Sequence, residues 1–157
     1  MSVNWTFTDN SKQMLSAMAN CTNAALEEIA SEIESQAASN TRVATGNTKS
    51  KWGHVTENQT AIIGNTEENA IWEEFGTGEY ALEGKGRKGG WYVAIGYGKN
   101  QMTPETAAKY NFKIIHGKDG VDFAEVHGKK PTRALYKAFT QTKPLIEKTF
   151  NTKFKGL

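Results

Sequence analysis

The fold is decided by one long stretch near the N-terminus, residues 9–38, which reads DNSKQMLSAMANCTNAALEEIASEIESQAA. Its apolar residues recur at steps of three and four, the spacing that places side chains on one face of an α-helix. They are Met14, Met18, Cys21, Ala25, Ile29, Ile33 and Ala37. No Gly or Pro interrupts the stretch, and Asp9 or Asn10 can cap its start. The pattern predicts a long amphipathic helix with a buried apolar face.

A second amphipathic stretch begins near Pro131. Its apolar residues again recur at helical spacing, and lysines fill most of the remaining positions. The predicted buried positions are Leu135, Phe139, Ile146, Phe150 and Phe154. Pro144 has no backbone N–H to donate to the helix, so we expect a kink or a restart there.

Short strands separated by turn residues occupy the middle of the chain. Residue alternation and turn signals predict strands at 50–56, 60–65, 91–97, 112–116 and 121–126. Two hairpin loops are expected at 57–59 and 117–120, short helices at 67–75 and 104–110, and a turn-rich connection at 40–49. This order of elements predicts an α+β fold, in which a long N-terminal helix and a C-terminal helix pack on a mostly antiparallel sheet.

Length and composition are those of one globular domain, residues 1–157, with 38% hydrophobic and 23% charged residues. This composition excludes a disordered chain, and no apolar run approaches the roughly 20 residues of a membrane span. The N-terminus lacks the basic start and apolar stretch of a signal peptide. A single cysteine, Cys21, allows no internal disulfide, so we expect a protein that folds in a reducing cytosol.

Charged residues are distributed unevenly along the chain, although the net charge is only +2. Residues 1–40 carry one lysine against five acids, whereas residues 129–157 carry eight bases against one acid. We interpret these segments either as the solvated faces of two helices or as an acidic face on one copy that meets a basic face on the next. In the second case the charges would steer docking.

Contact with nucleic acid is a weaker hypothesis, because the net charge is too small for a strong field. Lys129, Lys130, Arg133 and Lys137 are the candidate residues for contact with DNA or with a protein partner. The aromatic residues of the same segment fall on the predicted apolar face. We therefore expect them to lie in the core and not to stack on bases.

Residues 76–90 are rich in glycine, and Gly84, Gly86 and Gly89 match the G-x-G-x-x-G spacing of dinucleotide-binding loops. Such a loop follows a strand and opens a helix, because the phosphate binds at the helix N-terminus. Here the glycines lead into the predicted strand that starts at Trp91, and no Lys-Ser/Thr pair follows. We expect no cofactor; a nucleotide-binding enzyme that uses this loop remains an alternative.

The glycine-rich segment 77–90 is better interpreted as a flexible arm, because its chain entropy is high. Lys85 and Arg87 could bind an acidic partner once the arm becomes ordered. The carboxylates of Glu73 and Glu74 lie just upstream. A catalytic pair needs one carboxyl in an apolar pocket, whereas adjacent glutamates usually form a solvated or interface face. We therefore predict no catalytic residues.

The histidines do not indicate a metal site. His54, His116 and His127 are far apart and lack the spacing of zinc ligands. Cys21 with a distant histidine could act as a nucleophile, but its position on the helix face favours a small buried residue. We therefore predict no metal.

Four short motifs follow one another along the chain. After the long helix come Ala44-Thr45-Gly46-Asn47-Thr48 and then Ser50-Lys51-Trp52. A strand end, Ile62-Ile63-Gly64-Asn65, follows. Glu74 to Gly78 read Glu-Phe-Gly-Thr-Gly, and Gly128-Lys129-Lys130-Pro131-Thr132-Arg133-Ala134-Leu135 opens the last helix. In this order the motifs resemble those of the neck or tail-completion proteins of long-tailed bacteriophages, also described as minor structural or morphogenesis proteins, whose hallmark is the Glu-Phe-Gly-Thr-Gly motif. The resemblance covers nearly the whole chain.

This resemblance implies a non-enzymatic phage or prophage structural protein that acts in virion assembly at the head–tail junction and is assembled in the host cytoplasm. The implied partners are further copies of the chain in a ring, the head connector, and the tail tube or terminator. A tail terminator of the same junction is the alternative. The expected assembly residues are Trp72, Glu74, Phe75, Gly76, Thr77, Gly78, Lys85 and Arg87.

Overall fold

The computed structural model describes residues 5, 6, 8–42 and 46–155, and its fold is mixed α+β, which confirms the predicted class. The chain divides into two compact units, Met1–Ala70 with Arg133–Leu157, and Ile71–Thr132. The predicted single sheet is corrected to two antiparallel sheets, one of two strands and one of three. The reason is that every strand pairs within its own unit. The single domain stays a prediction.

The first unit is built on helix α1, which spans Ser11–Asn40. At its start, the carboxylate of Asp9 accepts hydrogen bonds from the backbone N–H and the hydroxyl of Ser11, at 2.9 and 2.5 Å. The first of these bonds satisfies a backbone N–H that a helix N-terminus leaves unpaired. The buried residues of α1 are Ala25, Ile29, Ala30, Ile33 and Ala37.

The N-terminal half of α1 is more exposed than the periodicity predicts. No residue of 11–24 is buried, and the side chains of Met14 and Met18 are 51% and 43% exposed. The hairpin that packs on α1 reaches its later turns, where the backbone N–H of Gln59 donates to Asn23 Oδ1 at 2.8 Å. Periodicity identified the apolar face of the helix. How much of that face is covered depends on which elements pack against it.

The last helix, α5, spans Ala134–Phe154 and packs along α1. Ile29, Ile33, Ala37 and Ala138 form the core between them. Partly buried hydrophobic residues surround this core, namely Trp52, Ile63, Leu135, Ile146 and Phe150. The shared core explains why two helices distant in sequence belong to one unit.

Two expectations for α5 are corrected. The helix continues through Pro144 and does not restart there. Phe139, predicted to be buried, is 49% exposed. The buried face is centred on Ala138 and Thr142, and the residue after Ala138 is rotated by about 100° away from it.

The acidic and basic helices meet within one chain. Lys153 Nζ of α5 lies 2.8 Å from Glu28 Oε2 of α1. The other glutamates of α1 also have partners in the first unit: Glu32 accepts from Gln36, while Glu27 and Glu34 contact a histidine described below. The interpretation in which α1 offers its acids to a neighbouring copy stays a prediction.

A β-hairpin completes the first unit. Strands β1 (Trp52–Glu57) and β2 (Thr60–Asn65) pair antiparallel, with Val55 opposite Ile62. Asn58 and Gln59 have φ of 49° and 59°, the conformation of a two-residue type I′ turn. The predicted hairpin is therefore confirmed. Trp52 and Ile63 face the core.

The connection between α1 and the hairpin contains an unpredicted short helix, α2, at Asn47–Ser50. Gly46 precedes it with φ of +89°. Ser50 N–H donates to the Gly46 carbonyl at 3.1 Å, which closes the helical turn. Ala44 and Thr45, which belong to the quoted motif, lie outside the described residues.

In the second unit, a three-stranded sheet has the order β3-β5-β4 and is antiparallel throughout. Its strands are β3 (Trp91–Ala94), β4 (Lys113–His116) and β5 (Asp122–Val126). Helix α3 (Ala70–Phe75) precedes the sheet, and α4 (Pro104–Lys109) lies between β3 and β4 in sequence. Thr103 caps α4 as predicted, accepting from Thr106 N at 3.3 Å. Within the described ranges, no helix has the length and apolarity needed to cross a bilayer.

Candidate functional site

The Glu-Phe-Gly-Thr-Gly motif forms the end of α3 and the turn that follows it. Gly76 adopts φ of +74° and its N–H donates to the Trp72 carbonyl at 3.0 Å, which ends the helix as predicted. Thr77 and Lys129 exchange two hydrogen bonds of 2.9 Å: Thr77 N–H donates to the Lys129 carbonyl, and Lys129 N–H donates to Thr77 Oγ1. The motif is therefore fixed to the segment before α5.

Residues 77–79 and 127–129 pack backbone against backbone. Glu79 N–H donates to the His127 carbonyl at 2.9 Å. A Cβ at Gly78 would lie 2.4 Å from the His127 carbonyl oxygen, and a Cβ at Gly128 would lie 2.1 Å from the Thr77 carbonyl oxygen. Only glycine permits so close an approach. This contact explains why the last glycine of the motif is required.

Glu73 joins α3 to the same segment. Its carboxylate accepts a hydrogen bond from Lys129 Nζ and another from Thr132 Oγ1 at 3.0 Å. Its carbonyl accepts from Thr132 N–H at 2.6 Å. The Glu73 side chain is 16% exposed. These contacts give Glu73 a structural role, while Glu74 follows it in α3 and is half-buried.

The aromatic residues beside the motif lie at the surface. Trp72 and Phe75 are each 54% exposed, and Ile71 is 53% exposed. As the apolar residues of a helical turn followed by glycine, Trp72 and Phe75 are predicted from the sequence to pack under the sheet, and their exposure shows that this prediction is wrong. Helix α3 has only six residues, and none of them is buried. Three large apolar side chains within so short a helix form an exposed apolar surface, which we call the α3 surface (Ile71, Trp72, Phe75).

The predicted arm, residues 77–90, is folded into two short 3-10 turns, Gly78–Tyr80 and Leu82–Gly84. Gly89 N–H donates to Glu79 Oε1 at 3.0 Å, so the two ends of the segment are connected. The segment therefore differs from a free loop. Some of its backbone groups form hydrogen bonds within the protein, where those of a free loop would bond to water. Flexibility of the segment stays a prediction.

The charged residues of this segment have partners within it or just after it. Lys85 lies 3.3 Å from Glu83 Oε2, and the Arg87 guanidinium lies 5.6 Å from the centroid of the Trp91 ring. Trp91 opens β3, so the glycines lead into a strand as predicted. A dinucleotide fingerprint would need a helix at that position.

A network of charged side chains borders the paired segments. His127 Nδ1 lies 3.2 Å from Glu79 Oε1, and His127 Nε2 lies 3.4 Å from Glu125 Oε1. Lys113 Nζ lies 2.9 Å from Glu125 Oε2. The carboxylate of Glu79 raises the pKa of His127, and Lys113 lowers the pKa of Glu125. The network adds electrostatic contacts between the arm and the sheet.

The four predicted basic contact residues are not equivalent. In the second unit, Lys129 pairs with Glu73, and Lys130 Nζ lies 5.5 Å from the centroid of the Tyr80 ring. In the first unit, Arg133 lies 3.7 Å from the centroid of the Tyr136 ring, and Lys137 is exposed on α5. Lys129 is therefore mainly structural, whereas Lys137 is available at the surface.

A second cluster lies in the first unit. His54 of β1 contacts two glutamates of α1: Nδ1 lies 2.5 Å from Glu34 Oε2 and Nε2 lies 3.1 Å from Glu27 Oε1. The hydrogen bond with Glu34 is the main cause of a raised His54 pKa. Within the described ranges, no group of three or more His, Cys, Asp or Glu residues could hold a metal ion. Cys21 is half-buried on α1.

Comparison with known proteins gave no match to the chain among protein-family models, curated proteins or solved structures. Function is therefore inferred from the motif, the geometry of its turn and the exposed side chains around it. Sequence reasoning missed the pairing of Thr77 with Lys129 and of Glu73 with Lys129. The sequence offered only a weak signal for these contacts, namely a single glycine, Gly128, shortly after the last strand and directly before Lys129 and Lys130.

Proposed function

We propose that this chain is a non-enzymatic structural protein of a long-tailed bacteriophage that acts in virion assembly at the head–tail junction, as a neck or tail-completion protein. Copies of the chain form a ring, which contacts the head connector on one side and the tail tube or terminator on the other. The ring is assembled in the host cytoplasm and remains in the virion.

The placement of the large apolar side chains carries this proposal. Of the ten buried hydrophobic residues in the described ranges, seven are alanines. Eighteen large hydrophobic side chains in the same ranges are exposed. Single exposed hydrophobic residues are ordinary, but exposure of this many large apolar side chains leaves a considerable apolar area for contacts with other chains.

Two surfaces concentrate this exposed area. In the second unit, the α3 surface presents Ile71, Trp72 and Phe75 directly before the motif turn. In the first unit, Val55 and Ile62 lie opposite each other on the outer face of the hairpin, 60% and 69% exposed. Large aromatic anchors are the residues that dominate protein–protein binding. A head-to-tail ring uses two different surfaces on each copy, and these two surfaces meet that requirement.

The α3 surface can be tested with matched surface variants in a phage that carries this gene. Trp72→Ser with Phe75→Ser removes two anchors whose side chains are already half exposed, so we expect a stability change of about 1 kcal/mol or less. The control, Tyr97→Ser with Tyr110→Ser, removes two aromatic side chains that are 77% and 56% exposed. Electron microscopy of lysates then counts complete virions, tailless heads and free tails.

The expected result is that tailless heads and free tails accumulate with the Trp72 and Phe75 variant, while the control forms complete virions. Silencing the gene should give the same products. Normal virions at normal titre after silencing would refute the role at the head–tail junction. Normal virions with the Trp72 and Phe75 variant alone would refute the α3 surface as an interface.

A further inference from the structure

Basic side chains follow the solvent face of α5 and its two ends, and we call them the basic row: Arg133, Lys137, Lys148 and Lys155. Lys137, Lys148 and Lys155 are spaced by 11 and 7 residues, which places them within a sector of roughly 20° at about 100° per residue. Arg133 is the N-cap residue and has a left-handed backbone, so it stands at the start of the row and outside the helical turns. The three lysines lie roughly opposite the buried Thr142 and Thr149 and extend over about 27 Å at 1.5 Å per residue.

The chain does not neutralise this row. Lys137, Lys148 and Lys155 are exposed and have no carboxylate partner among the residues that the structure describes. Lys153, on the other face of α5, pairs with Glu28. The remaining glutamates of α1 are hydrogen-bonded within the first unit. A second copy would have to give up these contacts of its own α1 in order to bind the row, which makes it a poorer occupant than a ligand whose anionic groups are free.

The surroundings of the row fit phosphate groups. A concavity of about 420 Å³ is lined by Lys148, Asn151, Thr152 and Lys155 together with Pro144 and one carboxylate, that of Glu147. Lysine, asparagine and threonine side chains are common donors to phosphate oxygens of nucleic acids. The lining combines these donors on one face of a rigid helix.

The aromatic residues nearby distinguish a duplex from a single strand. Tyr136 and Phe139 are 53% and 49% exposed, but they lie roughly 110° and 170° around the helix from the three lysines of the row. The Arg133 guanidinium covers the Tyr136 ring at 3.7 Å. Single-stranded nucleic acid is usually bound by bases stacked on aromatic rings along a basic groove. The basic row has no such ring, which favours the backbone of a duplex.

We propose that the basic row binds the phosphate backbone of double-stranded DNA without sequence preference. This inference goes beyond the assembly role and stands on the charge and geometry of α5 alone. Each phosphate contact lowers the slope of log K against log salt by about 0.9. Four contacts give a slope of about −3.6, so raising the salt from 50 to 200 mM should weaken binding about 150-fold.

The test is fluorescence anisotropy of a labelled 20-base-pair duplex of mixed sequence, titrated with the full-length chain between 50 and 200 mM KCl. Lys137→Gln with Lys148→Gln and Lys155→Gln should reduce the slope to about −0.9. A matched control, Lys49→Gln with Lys51→Gln and Lys118→Gln, removes the same charge from exposed positions elsewhere and should keep the slope of the wild type. Circular dichroism checks that both variants are folded.

Four results would overturn the proposal. They are no binding to the duplex at 50 mM KCl, an equal loss in both triple variants, tighter binding to a 20-nucleotide single strand, and preferential binding of polyglutamate. The second would mean that only net charge matters. The last would assign the row to an acidic protein surface.

Discussion

Gly78 and Gly84 form a matched pair for testing how firmly residues 77–79 are fixed against residues 127–129. Both have positive φ, +58° and +69°, so alanine at either position introduces left-handed strain of about 1–2 kcal/mol. Their surroundings differ. A Cβ at Gly78 would lie 2.4 Å from the His127 carbonyl oxygen, whereas a Cβ at Gly84 would meet nothing within 4 Å.

The difference between the two variants can be worked out from the contacts. In Gly78→Ala, the His127 carbonyl would have to retreat by about 0.6 Å to reach an acceptable 3.0 Å. Three hydrogen bonds cross this contact, two between Thr77 and Lys129 and one from Glu79 to His127. At about 0.5–1.5 kcal/mol each, their loss adds about 1.5–4.5 kcal/mol of local destabilisation that Gly84→Ala does not share.

Native-state hydrogen exchange at the amides of Thr77, Glu79 and Lys129 measures this local opening directly. In Gly78→Ala these amides should exchange roughly ten- to a thousandfold faster than in the wild type, since each 1.4 kcal/mol is a factor of about ten. In Gly84→Ala they should keep most of their protection. Equal exchange in the two variants would refute the reasoning. Unprotected amides in the wild type would also refute it and would favour the flexible arm.

Three further predictions concern the body of the protein and can be measured by urea unfolding. The pKa of His54 is raised above 6.5 by two glutamates of α1, so its stabilising contribution is complete below pH 6.5 and is lost as the pH rises through the raised value. The wild type should lose more stability between pH 6 and pH 9 than His54→Ala; equal losses would contradict this. Ile33→Ala, in the core, should cost about 2–5 kcal/mol. Its control Ile62→Ala, at a 69% exposed side chain, should cost about 0.5 kcal/mol, and similar costs would contradict the described core. Thr103→Ala should cost about 1 kcal/mol through the lost cap of α4, and an unchanged midpoint would show that this cap is not needed.

Elements fixed by local chemistry could be predicted from the sequence. Helix α1 can be recognised from its uninterrupted helical periodicity without knowing what packs against it. Thr103 before Pro104 is by itself a typical helix start. The β1–β2 hairpin was recognisable because Asn58 and Gln59 stand between two β-prone runs. In each case the residues that determine the element lie within it or directly beside it.

The extent of burial could not be predicted, because it depends on which elements lie against each other. Met14, Met18 and Phe139 repeat at the correct spacing, yet all three are exposed. A hydrophobic period identifies the face that a partner would cover, and it cannot tell whether that partner belongs to the same chain. The division into two sheets was missed for a related reason. The positions of the strands along the sequence do not indicate which strands pair with each other.

The candidate site was predictable in its residues but not in its contacts. The motif from Glu74 to Gly78 was identified, and the stop at Gly76 follows from glycine chemistry. Its partners Lys129 and His127 lie about 50 residues further on. Nothing in the local sequence of the motif indicates that the two segments meet, so the role of Gly128 emerged only from the structure.

The α3 surface and the basic row should differ in their response to salt, which allows their roles to be separated in one sample. Burial of the α3 surface is driven by the hydrophobic effect, which does not depend on charge, so moderate salt should leave ring formation unchanged. Phosphate contacts of the basic row lose counterion release as salt rises, and DNA should dissociate. In sedimentation with labelled duplex, raising KCl from 50 to 200 mM should release the DNA, while the protein continues to sediment as a ring at the coefficient measured without DNA. Loss of both together would mean that charge pairing holds the copies together, and the apolar α3 surface would then not be the interface.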